Sequence, residues 1–327
     1  MRNAKDKTQR AVTGGIAVVL LAMLAGPAFA QSLFEAHDNL STVSALFQLD
    51  SDGIAPGSGL SLYWQTASHA ARETNGDASI LLDGESSRLR AEWRHSLNAR
   101  WSVSVGLSQW WHARGTLDGF IDSWHAAFGF PDGIRDDVPK GQIQFQYAEG
   151  GRTRLDVTRT RRGIGDLTLS TQRRFGDGDW AIAAHLKLPT GSFRDLTGSG
   201  ATDFGLNVLW QPEVPTTPGW SWRAGAGAAA LGSADIDLPG QTRVTWVAHG
   251  ELRYRINDAI DLGARLQGHG ALSDSALDII GRPAVWLVTG GEIRSGDNWR
   301  ITISVTEDIV VESAPDVSFN LGLHRKF

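Results

Sequence analysis

The chain has 327 residues, of which 38 are Gly, 13 are Trp and none is Cys. Without thiols there is no disulfide scaffold, thiolate zinc site, iron–sulfur cluster or lipidated N-terminal cysteine, and a net charge of -5 gives no reason to expect nucleic acid as a partner. Charged residues at 20% and hydrophobic residues at 41% exclude both a disordered chain and a bundle of membrane helices.

Residues 1–30 read as a secretory signal peptide. Arg2, Lys5, Lys7 and Arg10 make a basic start, Ile16 to Ala25 is an apolar run, and Ala28-Phe-Ala30 is a small-residue cleavage site before Gln31. The apolar run falls short of the roughly 20 residues that span a bilayer. Residues 58–327 form the main domain, and residues 31–57 form an N-terminal segment that lies in the periplasm or inside that domain.

From Leu60 onward the dominant period is two, the period of a strand with unlike faces. Trp101, Val103, Val105 and Leu107 oppose Ser102, Ser104 and Gly106. Trp180, Ile182, Ala184 and Leu186 oppose Ala181, Ala183, His185 and Lys187, and the pattern returns in Leu206 and Val208, in Trp246 and Leu252, and in Ile301 and Ile303. Twelve strands are predicted, near 58–69, 87–97, 100–112, 164–175, 179–188, 202–211, 220–231, 242–256, 259–270, 283–294, 298–309 and 316–327. Such lengths exceed those of sandwich strands and match segments that cross a bilayer at a tilt. Aromatic residues near strand ends, among them Trp101, Trp180, Trp210 and Trp299, suit a membrane interface. Short connections (97–99, 176–179, 213–219, 257–258, 296–297) alternate with longer ones (70–86, 113–163, 189–201, 232–241, 271–282, 310–315), as periplasmic turns alternate with extracellular loops.

The expected fold is therefore all-β, a transmembrane antiparallel β-barrel of about 12 strands, with a short helix in the 113–163 loop. A strand at 42–49 would make the count fourteen. A secreted sandwich that buries the same apolar faces is the competing architecture.

On this alternation Arg88, Arg90, Glu92 and Arg94, His185 and Lys187, Arg243, His249, Glu251, Arg253 and Arg255, and Arg265 and His269 point inward, because charge is expelled from a lipid-facing surface. They form either a polar channel whose arginines favour anions or a closed ion-pair network that fills the interior. In the long loop, Phe120, Trp124, Ala127 and Phe128 recur at helical spacing, so 118–130 is predicted to be an amphipathic helix ended by Gly129 and Pro131. Asp122 and His125 lie three apart on it. Either the helix lines a solute path, with His125 titrating near neutral pH and Arg135 engaging an anion, or it packs on the barrel mouth with Asp122 and His125 as an orienting pair. Arg152, Arg154, Arg159, Arg161 and Arg162 form a basic run in the same loop, either a solvated hairpin or a contact for lipopolysaccharide phosphates.

Three motif groups carry a resemblance. Gly163-Ile-Gly-Asp-Leu-Thr-Leu169, Lys187-Leu-Pro-Thr-Gly191 and Gly198-Ser-Gly with Asp203 resemble the G-x-G-D-L and K-x-P-T-G repeats of outer-membrane barrels linked to aromatic-compound (phenol) degradation. Asp122-Ser-Trp-His125, Phe128-Gly-Phe-Pro131 and Arg135, with Thr306-Glu-Asp308 and Pro315-Asp316, resemble an uncharacterised proteobacterial outer-membrane family known only as a domain of unknown function. A final strand that alternates Val317, Phe319, Leu321 and Leu323 with polar or small residues and stops at Phe327 resembles the signal that such barrels present to their assembly machinery. The resemblance implies the Gram-negative outer membrane and brings no established activity.

No nucleophile elbow, P-loop or H-E-x-x-H motif occurs, so neither an enzyme nor a cofactor or metal is expected. The expected function is a channel or transporter for small solutes, hydrophobic or aromatic ones by resemblance. The alternative is a structural or surface-interaction barrel with a plugged lumen. Expected partners are outer-membrane lipids and lipopolysaccharide, the barrel assembly machinery and a small-molecule solute.

Overall fold

The computed structural model describes residues 57–117, 119, 123, 141–176, 179–212, 218–309 and 317–327. The strands in chain order are β1 (Gly59–Asn75), β2 (Ala78–Ser96), β3 (Trp101–Ala113), β4 (Gln144–Glu149), β5 (Arg152–Val157), β6 (Arg161–Ile164), β7 (Leu167–Phe175) and β8 (Trp180–Leu188). They continue with β9 (Asp203–Trp210), β10 (Gly219–Ala230), β11 (Val244–Arg255), β12 (Ile260–His269), β13 (Ala284–Ser295), β14 (Trp299–Asp308) and β15 (Val317–Lys326).

Twelve of these close a ring: β1, β2, β3 and then β7 through β15, with β1 antiparallel to both β2 and β15. The seam runs from Gly59↔Lys326 to Ser68↔Val317. Closure leaves no wall strand with an unpaired edge, the condition for a sheet in hydrocarbon. The predicted strand at 42–49, like the signal peptide, lies outside the described residues, and the ring is complete without it.

The face that each residue takes follows from the period of two. On β11, Trp246, Leu252 and Tyr254 face out, while Thr245, Val247, His249, Glu251 and Arg253 are buried inside. Leu206, Trp246 and Ile303 expose 47%, 46% and 55% of their surface. A soluble sandwich would have buried these side chains, so the competing architecture fails. Trp101 and Trp111 are both outward on β3, ten residues apart. At roughly 3.3 Å per residue and a tilt near 40°, they bracket about 25 Å, the height of a lipid-facing band.

The short-turn end is built by side-chain caps and aromatic rings. Asn98 Oδ1 accepts from the amides of Arg100 and Trp101, and Asn257 Oδ1 from those of Ala259 and Ile260, so each Asn closes its own turn. Trp180 lies 6.2 Å from Trp210, and Trp220 lies 4.9 Å from Tyr254. The Arg325 guanidinium stacks over Trp299 and Phe327, and the Phe327 amide donates to Ser58 O across the seam.

At the long-loop end the structure corrects two expectations. The predicted 70–86 loop is a hairpin: β1 and β2 stay paired as far as Asn75↔Ala78, turning at Gly76 (φ 61) and Asp77. Its polarity inverts, with Ala78, Ile80 and Leu82 buried inside and Arg72 and Thr74 exposed outside. Pairing thus continues above the lipid after the lipid-facing pattern has stopped. Within 113–163, β4 and β5 form a second hairpin through Gly150 and Gly151 (φ 63 and 71) that pairs with the upper part of β2, and β6 pairs with β3 above β7. Of the helix expected over 118–130, only Gly119 and Ser123 are described, both helical, with Ser123 Oγ donating to Gly119 O at 2.9 Å.

A one-turn helix, α1 (Asp278–Gly281), has its first amides held by Glu73, which accepts from Asp278 N at 2.7 Å and Ile279 N at 3.0 Å. With the β4–β5 hairpin and the loops around 236 and 272 it forms an apolar cap whose members include Leu82, Phe145, Tyr147, Ile236, Leu277 and Ile280. Burial and the Glu149 carboxylate push the Tyr147 hydroxyl pKa up, so Tyr147 keeps its proton and donates it to Glu149.

Candidate functional site: the arginine-lined lumen

Beneath the cap, the inward positions nearest the short turns carry three clusters of arginine, each gathered on carboxylates. Register creates the first: Arg223 on β10, Glu251 on β11 and Arg265 on β12 stand directly opposite one another, and Arg253 follows Glu251 two residues along the same face. Glu251 Oε2 accepts from Arg223 Nη2 (2.5 Å) and from Arg265 Nη2 (2.5 Å) and Nε (2.8 Å), and Oε1 accepts from Arg253 Nε (2.7 Å). All four side chains are buried.

The second cluster is local to β2. Glu92 accepts from Arg90 Nη2 at 2.7 Å and Arg94 Nη2 at 3.1 Å, and Arg88, next on the same face, stacks 5.3 Å over Trp110. The third corrects a like-charge pairing. Asp261 and Glu292 are directly opposite on β12 and β13, an arrangement that is destabilising alone. Arg294 Nη1 bridges them at 2.6 and 2.9 Å, Arg255 Nε adds to Asp261 at 3.3 Å, and Arg300 Nη1 adds to Glu292 at 3.5 Å. The clusters together hold nine arginines and four carboxylates, a net of +5 inside a chain whose overall charge is -5.

The G-x-G-D-L and K-x-P-T-G motifs meet at the opposite end of the wall. Lys187 Nζ binds Asp166 (2.9 Å) and Asp203 (2.8 Å) and donates to Ser199 Oγ. Asp166 accepts from Gly191 N, and Asp203 from Gly232 N. A Cβ at Gly191 would lie 2.5 Å from Thr197 O, and one at Gly198 would collide with Asp166 Oδ1, so the glycines let loop 189–202 close over the lysine. The motif is a buried ionic clasp for a loop.

Of the residues singled out in the sequence, Arg88, Arg90, Arg94, Arg253 and Arg265 lie in the clusters. His185 is inward but satisfied, with Nδ1 2.8 Å from Ser170 Oγ and Nε2 2.9 Å from Asn207 Oδ1. It borders a cavity of about 20 Å³ shared with Arg94, Ser102 and Gln172, room for one water. Arg243 precedes β11 at the long-loop rim, is exposed, and donates to Ser233 Oγ at 2.8 Å.

Asp122, Trp124, His125 and Arg135 lie outside the described residues. Sequence reasoning missed Arg223, Arg294, Arg300, Asp261 and Glu292, although the parity of Trp222, Ile293 and Ile301 assigns Arg223, Arg294 and Arg300 to the inner face. In the basic run, Arg154 pairs with Asp237 at 2.7 Å and Arg161 reaches Asp195 at 4.0 Å. Among the described residues no group of three or more His, Asp or Glu could hold a metal ion.

A closed twelve-stranded cylinder with an apolar outer band and a charged interior is a transmembrane β-barrel. The chain belongs to the family described as protein of unknown function (DUF3187), whose profile matches residues 30–327. No curated protein matches it. Among solved structures it is similar to the COG4313 outer membrane channel from Pseudomonas putida F1, at 15% identity and a TM-score of 0.54 over 83% of this chain and 96% of that one. That likeness supports the fold. The P. putida toluene transporter TodX gives 11% identity and a TM-score of 0.42 over 83% of this chain and 90% of that one.

Proposed function

We propose that the protein is an outer-membrane channel for small solutes, and that the solutes it favours are organic anions with a hydrophobic or aromatic body. The observation that carries this reading is the net +5 of the three arginine clusters inside the wall. Arginine forks bind carboxylates in two-pronged fashion, and a ring of them raises the local concentration of anions. The apolar cap of Leu82, Phe145 and Ile280 favours an apolar body over a hydrated ion on the path to that ring. The reading needs no catalytic step and no cofactor.

Reconstituted in planar bilayers, the protein is expected to give discrete conductance steps whose reversal potential reports anion preference. Liposomes carrying it are expected to admit benzoate faster than a neutral sugar of similar size. Silence in both assays would contradict the channel. The second reading, a structural barrel with a plugged lumen, has one observation on its side: the cap is a continuous dry core over one end.

A further inference from the structure

The β4–β5 hairpin carries one aromatic ring into a recess of the wall that is itself built of rings. Phe145 is fully buried, with its ring 5.1 Å from that of His69 on β1 and 6.2 Å from that of His112 on β3, edge-on to both at 74° and 84°. Trp110 stacks on His112 at 5.8 Å, and the Arg88 guanidinium lies over Trp110. Gly84 makes the room: its φ is 142, and a Cβ there would stand 3.3 Å from Phe145 Cε1 and 3.1 Å from Ala113 O. Edge-on contacts at roughly 4.5–7 Å are the arrangement that aromatic rings prefer, so the recess is shaped for a ring.

Phe145 fits the recess in shape and fails it in hydrogen bonding. His112 Nε2 donates to Leu196 O at 2.8 Å, which leaves Nδ1 of the neutral ring to accept from Ser86 Oγ at 2.7 Å. The Ser86 oxygen then accepts from His69 Nε2 at 2.8 Å. His69 Nδ1 ends the chain as an acceptor. It is buried with no partner among the described residues, and a hydrocarbon ring has no proton to give it. A ring that bears a hydroxyl has one.

The hairpin that carries Phe145 is laddered to the wall along one edge. β4 pairs with β2 from Ser79↔Ala148 to Asp83↔Gln144, and β5, the last strand of the sheet, pairs with β4. Across the mouth Arg154 fastens β5 to Asp237 at 2.7 Å, an ion pair whose carboxylate is mostly in solvent and adds little. We propose that the recess of His69, His112 and Trp110 is a binding site for a small aromatic ring carrying a hydroxyl, and that Phe145 occupies it in place of that ligand until the hairpin lifts. Ligand and hairpin compete for one site, so binding shifts the hairpin toward its lifted state. The site stands on the geometry of ring and acceptor; that its ligand is a transported solute rests on the channel reading. Arg88, two residues along β2 from Ser86, is the first arginine that such a solute meets on the way to the clusters.

The probe is 4-fluorophenol, followed by fluorine NMR on the full-length protein in detergent against empty micelles, with fluorobenzene as the ring that lacks a hydroxyl. Phe145→Ala empties the recess and is expected to bind 4-fluorophenol about tenfold more tightly than the unaltered protein, since the competing ring is gone. It is also expected to prefer 4-fluorophenol to fluorobenzene several-fold, and adding His69→Phe, which keeps a ring and removes the acceptor, is expected to abolish that preference. Leu277→Ala, which opens a cavity elsewhere in the cap, is expected to bind neither probe. Leu155→Cys places the chain's one thiol on the buried side of the intact hairpin, and 4-fluorophenol is expected to speed its labelling by a membrane-impermeant maleimide several-fold. That measurement needs no cavity. Equal binding by Phe145→Ala and Leu277→Ala, a hydroxyl preference that survives His69→Phe, or labelling indifferent to the probe would overturn the inference. Binding and labelling as expected in a barrel that never conducts keep the site and defeat the channel, and conductance with neither does the reverse.

Discussion

Glu251→Ala is expected to destabilise the folded barrel by roughly 3–5 kcal/mol, the cost of leaving buried charge uncompensated. The two Glu251 oxygens receive Arg223, Arg253 and Arg265, and all four groups are shielded from water. Removing the carboxylate leaves three guanidinium groups facing one another with the desolvation penalty still in force. Glu251→Gln keeps the shape and one acceptor oxygen, and is expected to fall between wild type and Ala. Arg282→Ala is the control, since the Arg282–Asp278 pair is exposed at the surface and such pairs contribute about 0–1 kcal/mol. The urea midpoint of the gel shift between folded and unfolded barrel reads all three. An unchanged midpoint in Glu251→Ala would show that the cluster does not hold the wall together.

The second large effect belongs to the outer face. Ile303 lies mid-strand on β14 and is 55% exposed. On the surface of a soluble protein Ile303→Arg would stay within about 0.5 kcal/mol of neutral. Near the middle of a bilayer the same change costs about 2–4 kcal/mol. Unfolding in phosphatidylcholine vesicles is expected to show the larger figure, and a near-neutral result would place that face in water.

The wall was legible because lipid outside and water inside impose opposite chemistry on alternate residues. Trp101 to Leu107 and Trp299 to Val305 therefore declare their faces without help from any distant contact. Above the lipid that constraint lapses. Residues 78–82 alternate as well, but with Ala78, Ile80 and Leu82 turned inward, so the signal that marks a strand below marks a loop above if only the lipid-facing polarity is sought.

The Ile143, Phe145, Tyr147 alternation before Gly150 and Gly151 is a hairpin signal of the same inward polarity, in a stretch where no lipid-facing row marks a strand. The lumen was half legible. Parity placed Arg88, Arg90, Arg94, Arg253 and Arg265 inside, whereas their grouping needs register: that Glu251 stands between Arg223 and Arg265 depends on how three strands are staggered, which no single strand records.

The central claim, a closed cylinder with lipid outside and a shielded charged interior, is tested most directly by spin labels placed one at a time on 300–306 in a chain free of native thiols. In proteoliposomes, labels at 301, 303 and 305 are expected to collide freely with oxygen dissolved in the hydrocarbon and poorly with a water-soluble nickel complex, while labels at 302, 304 and 306 show restricted oxygen contact. Equal accessibility along the run, or nickel contact at 303, would contradict the account.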